Sequence, residues 1–241
     1  MRRRDISTNA TLPLALGKNK VKNSAMKKES LIIAELSDRY PNPKPFLHFR
    51  NLFELVVTVS LSAQTTDLAV NKVTPKLFSI APTPEKLMHL DLVTIENIIH
   101  PLGFFRVKAK HLKQMAQTLV SEFNSEVPSE MKELVKLAGV GRKTASIIRA
   151  QGFSIPEFPV DTHISRIAQR LALSTAKNPD KISDDLMKRF PKKLWIPLHI
   201  QFISFGREIC TAKSPKCEIC PFLSVCPFGK KRLGIKVVQI R

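Results

Sequence analysis

Apolar positions recur at helical spacing through most of this chain. From Lys27 to Tyr40, Leu31, Ile32, Ala34 and Leu36 sit among charged neighbours, which predicts an amphipathic helix; Pro41, Pro43 and Pro45 stop it. Phe53 to Leu61 is almost continuously apolar. Its valines also suit a buried strand, but the continuation through Leu68, Val70 and Val73 predicts one long buried helix, with Pro75 closing it or opening the next. Further helices are predicted near 84–90, 91–99, 106–124, 130–137, 142–152, 161–173, 179–190 and 193–209, each set off by Pro, Gly, Asn or Ser. Regular strand alternation is missing, as are Asn-Gly and Asp-Gly hairpin turns. The pattern predicts an all-α protein without a repeat of fixed period.

Composition narrows the partner. The 241 residues suit one large domain or two small ones, and 43% hydrophobic content is enough for a core. Lys plus Arg number 39 against 20 Asp plus Glu, a formal charge of +19. Like charges repel in the compact state, so the excess points to a polyanionic partner: nucleic acid first, an anionic membrane surface second. No apolar run approaches the roughly 20 residues that span a bilayer. A secretory signal is not expected either, because Leu12 to Leu16 is short and broken by Pro13. Residues 1 to 29 hold eight basic and two acidic residues, which predicts a disordered basic arm, with an organelle transit peptide as the alternative. Gly229 to Arg241 is basic again and is expected to trail from the cysteine region.

All four cysteines fall in one short stretch: Cys210, Cys217, Cys220 and Cys226. Four thiolates this close can surround one metal centre, whereas a disulfide framework spreads through a fold. Without a secretory signal they indicate a reducing compartment. The two-residue gap between Cys217 and Cys220 fits zinc or iron–sulfur chemistry; the six- and five-residue gaps fit zinc modules less well.

Leu134 to Ile148 reads LVKLAGVGRKTASII. Two apolar helical stretches flank Gly139-Val140-Gly141, and a tight turn of this kind uses glycine for positive backbone angles and close approach. The helix that follows starts with free amides and the positive end of its dipole, a phosphate-binding arrangement to which Arg142 and Lys143 add charge. Such a turn grips backbone and carries no sequence information. An ordinary helix-to-helix turn uses the same residues.

GVGRKTA, VDTHI at Val160 to Ile164, LSAQTTD at Leu61 to Asp67 with Asn71 and Lys72 following, GFFRVKA at Gly103 to Ala109, and Gly206-Arg207 before Cys210 come in one order. Together with the cysteine spacing, they resemble the endonuclease III family of helix-hairpin-helix DNA glycosylases, over about residues 27 to 227. The resemblance implies two helical domains flanking a DNA-binding cleft, with kinked DNA and a base turned out of the stack. It implies a basic arm over 1–26, an N-terminal helix over 27–45 packing with the cluster domain, a six-helix domain over 46–156, a cluster domain over 157–228 and a basic tail over 229–241. Cys210, Cys217, Cys220 and Cys226 would hold a [4Fe-4S] cluster, and the loop between the first two would display Lys213 and Lys216 towards phosphates, giving salt-sensitive affinity.

The resemblance also assigns chemistry. Lys143 matches the family's nucleophilic lysine; an amine attacks a sugar carbon only when neutral, and burial or a nearby cation favours that form. Its bland role is a phosphate contact. Asp161, 18 residues on, would stabilise positive charge and move protons, and its position before Thr162 also suits a helix cap. His163 reads as structural. Gln64 would fill the gap left by the flipped nucleotide, and Phe104 would wedge between bases or join the core. Gly139, Gly141 and Arg142 would contact the DNA backbone. Ala138 departs from the proline frequent before the family's turn, and the arm of about 26 residues exceeds the minimal form. The implied activity is removal of oxidised pyrimidines and cleavage of abasic sites in double-stranded DNA by a monomer, in the bacterial cytoplasm (nucleoid), or in a nucleus or mitochondrion. The competing functions are a monofunctional mismatch or alkylated-base glycosylase, a non-catalytic DNA-binding protein, and a zinc-containing RNA-binding module. Lys143 favours the lyase-competent branch, because the superfamily's adenine-mispair glycosylases lack lysine there.

Overall fold

Helix caps and breakers punctuate the chain. The computed structural model describes residues 27–235, and every regular element among them is helical. In chain order these are α1 (Lys28–Arg39), α2 (Leu52–Leu61), α3 (Asp67–Ile80), α4 (Pro84–His89), α5 (Leu92–Ile99), α6 (Phe105–Phe123), α7 (Met131–Leu134), α8 (Arg142–Gly152), α9 (Thr162–Arg170), α10 (Pro179–Arg189), α11 (Trp195–Glu208) and α12 (Pro227–Arg232), with 3-10 turns at Lys192–Leu194, Cys217–Ile219 and Leu223–Val225. Side chains of Asn51, Thr66, Thr83, Asp91, Asp161 and Asn178 each accept a bond from a first-turn amide, so six helix starts are written in short polar residues.

The long helix expected across Phe53 to Val73 is two helices. Nine of the ten residues of α2 are buried, so its run has no polar face to mark its end. The chain turns at Ser62–Thr66, where Gln64 adopts φ 53 and the Thr66 hydroxyl caps α3. Pro75 neither ends nor opens a helix; it lies inside α3. There it removes an amide that would have bonded the Asn71 carbonyl, while the Asn71 side chain holds the preceding extended segment through His48 N and Phe46 O, both at 2.9 Å. The helix expected over 130–137 shortens to Met131–Leu134, and that over 161–173 ends at Arg170, before Ala172 turns with φ 52. Pro227–Arg232 is helical, so the start of the basic C-terminal stretch is structured, with Gly229 buried against Leu223 and Cys226. The N-terminal arm and residues 236–241 lie outside the described residues.

Two apolar cores organise the helices. The first gathers α2 to α6 with α8, from Phe53 to Ile148. The second joins Ile32 and Leu36 of α1 to α9, α10, α11, Phe222 and Cys226. The first helix thus packs with the last third of the chain, against α11. Polar ties cross between the cores. Arg207 pairs with Asp67 at 2.6 Å and stacks on Phe46 at 4.2 Å. Arg149 at the end of α8 pairs with Glu157 at 2.8 Å and donates to Ser129 O. Two cavities lie along this join. One of about 510 Å³ is lined by Gln64–Leu68, His163 and Arg207. The other, of about 280 Å³, is lined by Arg142, Lys143 and Ser146 of α8 and by Asp180, Ser183 and Met187 of α10, among others.

Candidate active site and cluster loop

The turn before α8 is held from behind. Leu137 and Val140 are buried, which points the backbone between them outward. Gly139 adopts φ +79, and a Cβ there would lie 2.6 Å from Ser60 Oγ and 3.2 Å from His111 Cβ. Ser60, buried on α2, donates to the Gly139 carbonyl at 3.2 Å. Glycine is required at 139 by backbone angle and by close packing. Gly141 differs: a Cβ there meets nothing within 4 Å. Its bareness leaves the start of α8 uncovered. No side chain caps α8, so its first amides remain available to an anion.

Lys143 is the second residue of α8; it is exposed and lines the 280 Å³ cavity at the join. The partial burial expected for it is not supplied by the chain, because the uncapped helix start projects from the core. Arg142 beside it pairs with Asp180 at 3.5 Å; both side chains are largely exposed, so the pair contributes about 0–1 kcal/mol.

Asp161 is half-buried at the start of α9, where its Oδ1 accepts from Ile164 N at 2.8 Å. It acts as a cap. Its Oδ2 has no protein donor among the described residues. On α11, which packs against α9, lies His199, 4% exposed. Burial pushes its imidazole down to about 4; the Asp161 charge opposes that shift and the Lys143 charge adds to it. One neutral imidazole is therefore in electrostatic reach of both expected catalytic residues. His163 on α9 takes the structural part: its Nδ1 lies 3.1 Å from Arg166 Nη2, and its Cβ abuts Gly206.

Two exposed residues stand on loops of the first core. Gln64 is exposed with φ 53, and Phe104 is 66% exposed with φ 59. Neighbouring Phe105 instead turns inward, its ring 4.6 Å from that of His100. Of the two phenylalanines, the first faces out and the second packs. A cavity of about 630 Å³ that involves none of these residues opens between the start of α2 and Pro75.

At the C-terminal end, all four cysteines are unpaired and line one cavity of about 20 Å³. Burial, then the neighbouring cysteines, push Cys220 up to about 11, and burial also raises Cys217 and Cys226. Loading a metal centre must therefore displace protons. Four soft sulfur donors around one void, with Gly229 N donating to Cys226 Sγ at 3.3 Å, fit an iron–sulfur cluster. Arg170 locks this loop. It donates to Cys210 Sγ, to Thr211 O at 2.7 Å and to Ala212 O at 2.9 Å, and it stacks on Phe228 at 4.2 Å. Arg166, one turn earlier, donates to Cys210 O and Gly206 O, both at 2.9 Å. Lys213 and Lys216 are exposed on the loop so held.

Sequence reasoning missed Ser60, Arg166, Arg170, His199 and the Asp67–Arg207 tie. The arginines left a faint signal, a four-residue spacing on the helix that begins at Thr162. Ser60 and His199 left none, because each sits within a largely apolar helix.

The turn-and-helix unit and the cysteine loop together define a class, the helix-hairpin-helix base-excision DNA repair proteins with an iron–sulfur domain. The family described as HhH-GPD superfamily base excision DNA repair protein matches residues 57–192, and the iron-sulfur binding domain of endonuclease III matches residues 210–226. Endonuclease III of Bacillus subtilis is 38% identical over 208 residues, covering 86% of this chain and 95% of that protein. Endonuclease III of Synechocystis sp. is 42% identical over 197 residues, covering 81% and 90%. A solved structure of a trapped Endonuclease III–DNA covalent intermediate, an estranged-adenine complex, matches with a TM-score of 0.82 at 38% identity, over 87% of this chain and 100% of that one. This chain belongs to the endonuclease III family, and its cofactor is a [4Fe-4S] cluster. No helix among the described residues is long and apolar enough to cross a membrane.

Proposed function

We propose that this protein is a base-excision repair DNA glycosylase with abasic-site lyase activity, acting on duplex DNA that carries oxidised pyrimidines. One observation carries the reading: the bare start of α8 sets Lys143 on the wall of a cavity that Val160, the residue before the capping Asp161, also lines.

The chemistry follows from these groups. Lys143 Nζ attacks C1′ of an extruded nucleotide. An N–C1′ bond forms as the bond from C1′ to the base breaks, and the base leaves with that electron pair and takes up a proton. The sugar ring opens as the nitrogen loses its protons, leaving a Schiff base. Loss of a C2′ proton then expels the 3′ phosphate and breaks the strand, and water frees the lysine. Asp161 moves the protons and offsets positive charge developing on the sugar. The free amides of α8, with Gly139, Gly141 and Arg142, grip the phosphates on either side. Gln64 takes the vacated place in the duplex, and Phe104 wedges beside it. Cys210, Cys217, Cys220 and Cys226 ligate the cluster, which supplies a rigid cross-link for the loop presenting Lys213 and Lys216. The protein acts as a monomer, wherever its host keeps DNA: the nucleoid, or a nucleus or mitochondrion.

The test is reductive trapping. Incubation with an abasic-site duplex and borohydride is expected to give a covalent protein–DNA adduct, and a thymine-glycol duplex the same adduct more slowly. A protein that frees the base without an adduct would be a monofunctional glycosylase. One that binds the duplex and does neither would be a DNA-binding relative that has lost the reaction.

A further inference from the structure

Lys108 has no part in the chemistry above, yet it is the one lysine in the buried class among the described residues. It lies in the first turn of α6, 7% exposed, and makes no ion pair with any described carboxylate. A buried ammonium without a carboxylate is costly, so its geometry calls for a reason. One side-chain bond supplies one, while the backbone amide makes the ordinary first bond of α6 to the Phe104 carbonyl at 3.0 Å. Its Nζ donates to Thr65 Oγ1 at 2.5 Å, across 43 residues of chain. The Thr65 hydroxyl in turn donates to Ala63 O at 3.3 Å. Lys108 thus stands in the helical turn that the exposed Phe104 opens, and its side chain is bonded to the residue beside the exposed glutamine of the other loop. Those two residues, Gln64 and Phe104, are non-glycine residues in the left-handed region, at φ 53 and 59. Such angles persist only when surrounding contacts over-determine them.

We infer that Lys108 is a positioning residue: through Thr65 it clamps the Gln64 loop to the Phe104 loop, so that both side chains enter the duplex as one rigid unit. The inference rests on the proposed DNA-repair reading. Desolvation lowers the Lys108 ammonium from the usual lysine range, which agrees with a partner that is a hydroxyl and not an acid.

The test uses the full chain with its cluster, in wild type, Thr65→Val, Thr65→Ser, Lys108→Met and the Thr65→Val/Lys108→Met pair. The duplex carries a tetrahydrofuran abasic analogue opposite 2-aminopurine, whose fluorescence rises when the orphan base is unstacked. Expected are a fluorescence rise on wild type and Thr65→Ser, loss of most of it in Thr65→Val and Lys108→Met, and about tenfold slower trapping on an abasic duplex for both. The double variant should be no slower than either single, because one linkage has been cut twice. Trapping on a single-stranded abasic oligonucleotide, where no stack is opened, should stay at the wild-type rate in every variant. Wild-type duplex behaviour in Thr65→Val, multiplied losses in the double variant, or parallel loss on single strands would overturn the clamp. Thr65 is only half-buried and isosteric with valine, so Thr65→Val keeps the question open to refutation should Lys108→Met not fold. If wild type fails to trap at all, the lyase reading falls, and the fluorescence comparison still decides the clamp.

Discussion

Helices α8 and α9 begin in opposite ways. The first starts bare: Gly141 caps nothing, a side chain there would meet open space, and Lys143 projects into a cavity. The second starts closed: Asp161 spends one carboxylate oxygen on Ile164 N and sits half-buried. A bare start leaves amides for a ligand at the expense of about 1 kcal/mol of helix stability. A capped start orients its own acid, leaving the second oxygen free. The charges at both starts act on the same buried His199. An anion site and a rigid acid at one join call for unequal helix starts.

Substitutions that exchange these properties separate the two helix starts. The largest effect is expected at Lys143→Ala, which removes the proposed nucleophile but leaves the α8 amides. Borohydride adduct formation should fall by about ten-thousandfold or more, with affinity for an abasic analogue changed only a few-fold. Undiminished adduct would assign the attack elsewhere. Next, Asp161→Asn keeps a competent cap and loses the charge, so turnover should drop about a hundredfold with the melting temperature nearly unchanged; Asp161→Ala should lose a further ~1 kcal/mol of stability in urea melts. Wild-type turnover in Asp161→Asn would return Asp161 to a structural role alone.

His199 sharpens the comparison from beneath. The folded chain holds it neutral down to about pH 4, whereas an unfolded histidine takes its proton near 6.5. The unfolded state therefore binds more protons between those values, and stability should be full above 6.5 and fall as pH drops towards 4, by about 3 kcal/mol at most. Urea midpoints at several pH values for wild type and His199→Asn check this; the same slope in both would sink it. The smallest effects separate the two glycines. Gly139→Ala should lose about 1–3 kcal/mol through its positive φ and the Ser60 contact. Gly141→Ala should melt like wild type while weakening DNA binding a few-fold. If Gly141→Ala bound DNA as well as wild type, the open start of α8 would have no ligand.

Much of this was legible in the residues alone. Asp161 reads as a helix cap, Asp91 and Asn178 stand at or beside the starts predicted for their helices, and Gly139-Val140-Gly141 separates two apolar stretches. Legibility failed at α2, where the boundary lies inside a run buried on all sides and periodicity carries no information. It failed also for Phe104 and Phe105, adjacent and alike in sequence, of which only the second packs against His100. Ser60 and His199 were invisible because the groups they meet are 79 residues away for Ser60, and 38 and 56 residues away for His199.

The sequence by itself determined the helical class, most of the helices, the clustering of the four cysteines and the candidacy of Lys143 and Asp161, because local capping, breaker chemistry and short motifs are written in neighbouring residues. Only the tertiary structure decided that Lys143 stands exposed while Asp161 is anchored, that His199 is buried within reach of both charges, and that the Lys108 side chain bonds Thr65. Those facts depend on which distant helices share a core, and burial by a distant partner leaves no mark on the residues beside it.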